Sequence, residues 1–254
     1  MRNKTKRNTE PIIKKAIILL ILCISITGAS AYLMRLGLSK WSYLNMKDTE
    51  VTGTTSINPN MIHIALSEFK GDNLYLLSDE KIAHKILQIP QVKDIRIGRI
   101  FPSTLKVRVE ERMPIGYVRT PQNEHYLIDD DGVLLDFAHN IDELDLPVFL
   151  NISINNLTLG DKIEDKNFQT LLNVFHKIQV SYPDFLMTLN EMYCDNGDVI
   201  LTDQNRGVKF IVGDRDFDER LEKLVFAFRN FGVATYSEID VRFSDPINEL
   251  VILR

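Results

Sequence analysis

The chain opens its folded part with an uninterrupted apolar run. No charged residue lies between Ala16 and Met34, and Ile17-Ile18-Leu19-Leu20-Ile21-Leu22 is the densest part. Those 19 residues in a helix reach about 28 Å, close to the ~30 Å hydrocarbon core of a bilayer, which predicts a membrane-spanning helix over 16–34. Tyr32, Trp41 and Tyr43 fall where interfacial aromatics belong. Residues 35–45 read as a connector. Beyond them, Val51-Thr52-Gly53 ends a short strand, and Asn58-Pro59 supplies an N-cap with proline at the first helical position. Met61, Ile62, Ala65, Leu66 and Phe69 share one face of that helix, and Gly71 marks its stop. A second helix starts at Ser78 with Asp79 and Glu80 in its first turn, an apolar face of Ile82, Ile86 and Leu87, and Pro90 at its end. Val92 to Ile100 predicts a strand. After Pro102, Leu105, Val107 and Val109 alternate with Lys106, Arg108 and Glu110, as a strand buried on one face does. The order strand, helix, helix, strand, strand suits a three-stranded sheet covered on one face by two helices.

After Pro114 the pattern changes to short strands and turns. Tyr126-Leu127-Ile128 and Val133-Leu134-Leu135 flank Asp129-Asp130-Asp131-Gly132, a hairpin signal. Phe168, Leu171, Leu172, Phe175 and Ile178 fit one helix face. Val199–Leu201 and Val208, Phe210 and Val212 predict strands on either side of a turn at Asp203–Gly207. Phe217, Leu221, Leu224 and Phe228 make a further amphipathic helix, stopped near Gly232. A strand over Glu238–Phe243, a turn at Asp245-Pro246-Ile247-Asn248 and a strand over Leu250-Val251-Ile252-Leu253 close the chain. The fold class predicted is α+β: one transmembrane helix, a small sheet-and-helix domain, and a mixed, strand-rich domain.

Charge adds a direction. The net charge is −5, yet residues 1–15 hold six basic side chains and one acid, leaving 24 basic against 34 acidic residues in the rest. The basic tail ahead of the span places the N-terminus in the cytoplasm and exports the bulk of the chain. The acidic body repels phosphate backbones and argues against nucleic-acid binding. Ala29-Ser30-Ala31 also resembles a signal-peptidase site, so cleavage after the span stands beside tethering as a second reading.

Chemistry is sparse. Cys23 and Cys194 are too few for a disulfide scaffold, and His63, His84, His125, His139 and His176 have no zinc-helix spacing. Asp129–Gly132 resembles part of a calcium loop, but Leu127 occupies the required first acidic position, and the turn reading prevails. Asp214-Arg215-Asp216-Phe217-Asp218-Glu219-Arg220 reads as a solvated helix start. No G-x-S-x-G, P-loop or dinucleotide fingerprint is present, and no catalytic residue, cofactor or metal is expected.

Three stretches together carry a resemblance. They are Val51-Thr52-Gly53 with Gly71-Asp72-Asn73-Leu74; Ile89-Pro90-Gln91-Val92 through Arg99-Ile100-Phe101-Pro102-Ser103-Thr104-Leu105 to Val109-Glu110-Glu111-Arg112-Met113-Pro114; and Ile128–Gly132 with Ile239-Asp240-Val241-Arg242-Phe243. With a basic tail and one span in front, the chain resembles the FtsQ/DivIB family of bacterial cell-division proteins over about residues 14–254. The resemblance implies a cytoplasmic tail at 1–15, a span at 16–34 in the cell inner membrane, a connector at 35–45, a POTRA domain at 46–112 and a β-domain at 113–254. It implies a non-enzymatic scaffold at the division site, binding FtsB- and FtsL-like single-span proteins outside the cytoplasm and upstream division proteins through the POTRA domain. The chain stops at Arg254 without the further tail usual in DivIB-type members, which resembles the FtsQ branch.

The partner-binding residues so implied are Arg242, Phe243, Leu250, Val251, Ile252 and Leu253. Leu250–Leu253 also has neither proline nor an interior lysine to guard an edge, which suits strand addition by a partner; an inner strand of the protein's own sheet is the other reading. Two departures from the family stand out. Where members can carry basic residues before the strand at Val199, this chain has Asp195-Asn196-Gly197-Asp198, and its last strand lacks an aromatic after Phe243. A membrane-anchored exported enzyme acting on cell-wall polymer is the alternative function, and a secreted POTRA-bearing transport component freed at Ala31 a third.

Overall fold

The computed structural model describes residues 10–138, 144–154, 157–231, 236–242 and 252–253. Phe243, Leu250, Val251, the turn expected at Asp245–Asn248 and the helix stop at Gly232 lie outside the described residues. The first helix, α1, covers Glu10–Ser39, running on through the first part of the expected connector. Within it Ile17–Ser39 is long and apolar enough to cross a membrane, and none of that stretch is buried against the rest of the chain. A single 3-10 turn, Ser42–Leu44, follows.

The described chain divides into two compact units. The first comprises Met1–Thr54, Asn58–Ile86 and Ile95–Val109. It contains β1 (Asp48–Thr52), α2 (Pro59–Leu66), α3 (Asp79–Ile86) and most of β2 (Val92–Ile100) and β3 (Thr104–Glu111). The sheet order is β1-β3-β2, with β1 parallel to β3 from Asp48 opposite Thr104 to Thr52 opposite Arg108. The expected alternation holds in β3, where Leu105, Val107 and Val109 are buried. Ile62 and Leu66 from α2 and Ile82 and Ile86 from α3 are wholly buried. Asn58 caps α2 by accepting from the Asn60 N–H, as its position before Pro59 suggested. Gly53 is required twice over: its φ is +86°, and a Cβ there would lie 2.2 Å from the Val109 carbonyl oxygen.

Three sequence expectations need correcting in this region. Helix α2 ends at Leu66 and tightens into a 3-10 turn over Ser67–Phe69, short of Gly71, which turns the chain at φ +95°. Met61 is 46% exposed and Leu87 45%, so neither belongs to its helix's buried face. An eight-residue helix presents only two positions, one turn apart, squarely to the sheet.

The second unit comprises Thr55–Ile57, Leu87–Asp94 and Glu110–Arg254. Its strands are β4 (Pro114–Arg119), β5 (His125–Asp129), β6 (Leu134–Phe137), β7 (Val148–Leu150), β8 (Leu189–Asp195), β9 (Asp198–Asp203), β10 (Lys209–Gly213), β11 (Glu238–Asp240) and β12 (Ile252–Leu253). Helices α4 (Lys166–Ser181) and α5 (Pro183–Leu186) precede β8, and α6 (Phe217–Phe231) joins β10 to β11. All nine strands form one sheet in the order β12-β11-β10-β9-β8-β7-β4-β5-β6. Parallel neighbours need a crossover, which α4–α5 supply between β7 and β8 and α6 between β10 and β11.

One register row explains the core. Val118, Phe149, Met192, Leu201, Phe210 and Ile239 stand opposite one another across six strands, and each is 0% exposed. Phe168, Leu171, Phe175 and Ile178 of α4 and Leu221 and Leu224 of α6 join the same core cluster. Period-2 alternation then turns Tyr117, Val148 and Leu150 to a separate cluster with Leu127 and Tyr193. Two strand-joining turns are built alike. Buried Asp129 accepts from the N–H groups of Asp131 and Val133, and buried Asp203 from those of Asn205, Arg206 and Val208. Each carboxylate replaces the backbone partners that a tight turn removes.

A candidate docking edge

A nine-stranded sheet has two edges, and each presents backbone donors and acceptors that must go somewhere. At the start of β6 they go to a later segment of the chain itself. The Leu134 N–H donates to the Asp161 carbonyl (3.0 Å), the Leu134 carbonyl accepts from Gly160 (2.7 Å), and the Gly132 carbonyl accepts from Ile163 (2.9 Å). Asp161 shapes this strap, its carboxylate accepting from the Thr158 N–H and hydroxyl, both at 2.8 Å. Those two bonds hold the carboxyl below the usual aspartate range.

At the other edge β12 pairs antiparallel with β11, Leu253 opposite Ile239 and Ile252 opposite Asp240. Among the described residues, no strand lies on its far side. The site reading named Arg242, Phe243, Leu250, Val251, Ile252 and Leu253. Of these, Ile252 and Leu253 form β12, and Arg242 follows β11, which ends at Asp240 rather than running to Phe243.

Arg242 turns inward. Its Nε donates to Asp240 (3.0 Å), one terminal nitrogen to Asp240 (2.6 Å) and the other to Asp198 (2.6 Å). The bonds to Asp240 and Asp198 raise the guanidinium's pKa above its already high ordinary value, against the cost of partial burial. Beneath it Arg220 is 7% exposed, donating to the Val212 carbonyl (2.9 Å) and, at 3.5 Å, to that of Arg242. This corrects the reading of Asp214–Arg220 as wholly solvated: the helix start is exposed, but Arg220 comes round to the sheet side and ties β10 to the chain beyond β11. Gly213 makes room, with φ +93° and Arg220's nitrogen 2.0 Å from where a Cβ would stand.

Asp198, Asp240 and Arg220 were not among the residues read as functional. A usable signal existed for one pair, since Asp240 and Arg242 are separated by one residue and so share a side of an extended chain. The Asp198 contact crosses 44 residues and leaves no local trace. The acidic Asp195–Asp198 stretch, noted as a departure, thus supplies an internal counter-ion for Arg242.

Other clusters serve the fold. Asp129, Asp130 and Asp131 group their carboxylates within 4.8 Å, but Arg112 pairs with Asp129 and Asp131, and Lys93 with Asp130 (3.1 Å). Burial, then the Asp165 charge, pushes the Cys194 thiol up to about 11, which keeps it protonated and unreactive. A groove of about 610 Å³ beside β5 and β6 is lined by Tyr126, Leu134, Phe137, Leu157 and Leu159, with Glu124 its one carboxylate.

The chain matches the family model described as "POTRA domain, FtsQ-type" over residues 44–112, the range that holds β1, α2, α3, β2 and β3. That stretch is a POTRA domain. The chain is similar to the cell division protein DivIB of Clostridium acetobutylicum, with 29% identity over 142 residues, 56% of this chain and 57% of that protein. It is similar to the cell division protein FtsQ of Geotalea daltonii, with 23% identity over 228 residues, 88% of this chain and 82% of the relative. Similarity to FtsQ of Corynebacterium glutamicum is 29% over 99 residues, 38% of this chain and 44% of that one. The aligned part therefore spans little more than half of the DivIB relative and under half of the Corynebacterium protein.

Proposed function

This chain belongs to the FtsQ/DivIB family of cell-division proteins, and from that premise we propose that it is a tethered, non-catalytic scaffold of the division machinery. Helix α1 crosses the cell inner membrane once, with the basic tail inside, and carries both units outside the cytoplasm at the division site. The POTRA domain meets upstream division proteins. The β12 edge receives a strand from an FtsB-like single-span partner that arrives with an FtsL-like one.

The observation that carries this reading is the difference between the sheet's edges: β6 is strapped at its start by residues 160–163, and β12 has a partner on one side only among the described residues. An added strand would satisfy the remaining backbone groups, while flanking side chains select the partner. Phe243, Leu250, Val251, Ile252 and Leu253 line that role, and Arg242 holds the end of β11 against which β12 lies. Shared confinement in one membrane raises effective concentration, so modest contacts suffice for a stable assembly.

The test is removal of residues 249–254, or Val251→Pro, which deletes a backbone donor and disfavours a strand. Titration calorimetry against the exported part of an FtsB-like partner should show binding lost while circular dichroism shows the fold retained. Unchanged affinity in a folded variant overturns the docking site.

A further inference from the structure

The end of α1 is not left to a loose linker. The Asn73 side-chain amide donates to the Leu38 carbonyl at 2.9 Å and to the Ser39 carbonyl at 3.3 Å, satisfying two of the carbonyls a helix end leaves open. Backbone bonds then fasten the chain after the helix to the same loop: Leu74 N–H to Leu44, Met46 N–H to Asp72, and Gly71 N–H to Met46, all between 2.8 and 2.9 Å. Asn73 also accepts, through its side-chain oxygen, from the Tyr75 N–H at 3.0 Å. The loop 71–76 is thereby fixed at the level of the helix terminus.

That level can be placed. Counting about 1.5 Å per residue from Ile17, a ~30 Å hydrocarbon core is used up near Leu36, and the headgroup layer adds about 5–7 Å. Leu38 and Ser39 then lie among headgroups, and Asn73 with them. Four large side chains around this point are exposed: Trp41 54%, Tyr43 56%, Tyr75 44% and Leu76 48%. Trp41 and Tyr43 stack with ring centroids 5.7 Å apart. Tyrosine and tryptophan are the side chains that headgroup layers favour, each with an apolar body and a polar tip. Lys40, Lys47 and Lys70 are exposed nearby, offset by exposed Asp48 and Asp72, so the attraction is apolar and aromatic rather than one of net charge.

We propose that the Trp41/Tyr43 turn and the Tyr75-Leu76 loop together form a membrane-docking surface that seats the POTRA domain in the outer headgroup layer of the bilayer its own helix crosses. The occupant is lipid, at the boundary between headgroups and acyl chains. The inference rests on α1 spanning the membrane, and the test separates the two.

Trp41 is the only tryptophan in the chain. Full-length protein carrying Trp41→Phe and Tyr75→Trp is reconstituted into phosphatidylcholine vesicles containing lipids spin-labelled either near the headgroup or deep in the acyl chain. The reporter at 75 should emit at shorter wavelength than in detergent-free buffer and lose most of its emission to the shallow label and little to the deep one. A Leu22→Trp reporter in the same background should show the reverse preference. Asn73→Ala should reduce shallow quenching at 75, and in a second protein that keeps Trp41 and Tyr75 it should leave Trp41 quenched, since Trp41 follows the helix directly. A Leu76→Trp reporter repeats the measurement if the change at 75 disturbs folding. Solvent-like, unquenched emission at 75 and 76 with deep quenching at 22 overturns the docking surface alone. Loss of quenching at 22 as well overturns the span and the inference with it.

Discussion

At the start of β6 the backbone groups of Leu134 are taken by Gly160 and Asp161, whereas at β12 the strand has a neighbour on one side only among the described residues. Each edge is braced by an aspartate–arginine couple. Asp129, 0% exposed, pairs with Arg112 and simultaneously holds the turn into β6 through the N–H groups of Asp131 and Val133. Asp240, 3% exposed, pairs with Arg242, whose guanidinium is also held by Asp198. The first couple organises a hairpin that closes on itself. The second holds the end of β11, against which β12 pairs. The same ionic device therefore holds a turn in one place and a strand end in the other, and the local chain path decides which.

Three changes would break or sharpen that contrast. The largest effect belongs to Asp129→Ala, which strands two turn N–H groups and leaves the half-buried Arg112 with Asp131 alone. We expect a loss of about 3–5 kcal/mol, read from the urea midpoint. A loss under about 1 kcal/mol would mean that the sealed edge does not depend on the couple. Arg242→Met comes next. It removes the Arg242 charge from beside buried Asp240, but the Arg242 side chain is 35% exposed, so about 2 kcal/mol is the expected cost. Amide exchange should quicken in β10 and β11 while β5 and β6 keep their protection. Equal loosening at both edges would show that the couples act on the whole sheet and not locally.

The smallest effect is acid-linked and confined to the strap. Because the Asp161 carboxyl is held low in the fold, its contribution is fully present above the unfolded aspartate value of about 3.9 and is lost as pH falls through the folded value. Protection of the Leu134 amide, which donates to the Asp161 carbonyl, should decline over that window after correction for intrinsic exchange. In Asp161→Asn the decline should vanish. A profile unchanged by the substitution would remove Asp161 from the account of the strap.

Short-range patterns were readable in advance. Asn58-Pro59 at the start of α2, the alternation in β3, and the spacing of Phe168, Leu171, Leu172, Phe175 and Ile178 in α4 each follow from a period or a cap within a few residues. The nine-strand order was not readable, because β4 pairs with β7 and β7 with β8 in parallel across intervening turns and helices. No local period encodes which strand will be a neighbour. The same holds at the candidate edge. Its strand could be drawn from Leu250–Leu253, but Arg220 and Asp198 reach Arg242 only through the folded sheet, and their types suit a solvated surface equally well.

The strap over β6 also sets a valency. A sheet able to accept strands at both sides can propagate into a ribbon, each copy extending the last. Here residues 160–163 occupy the start of one side by the chain's own backbone, so under the proposed role strand addition has a preferred direction, toward β12. If the proposed docking holds, each molecule offers its partner one such side, and any larger assembly is set by the incoming chain or the membrane.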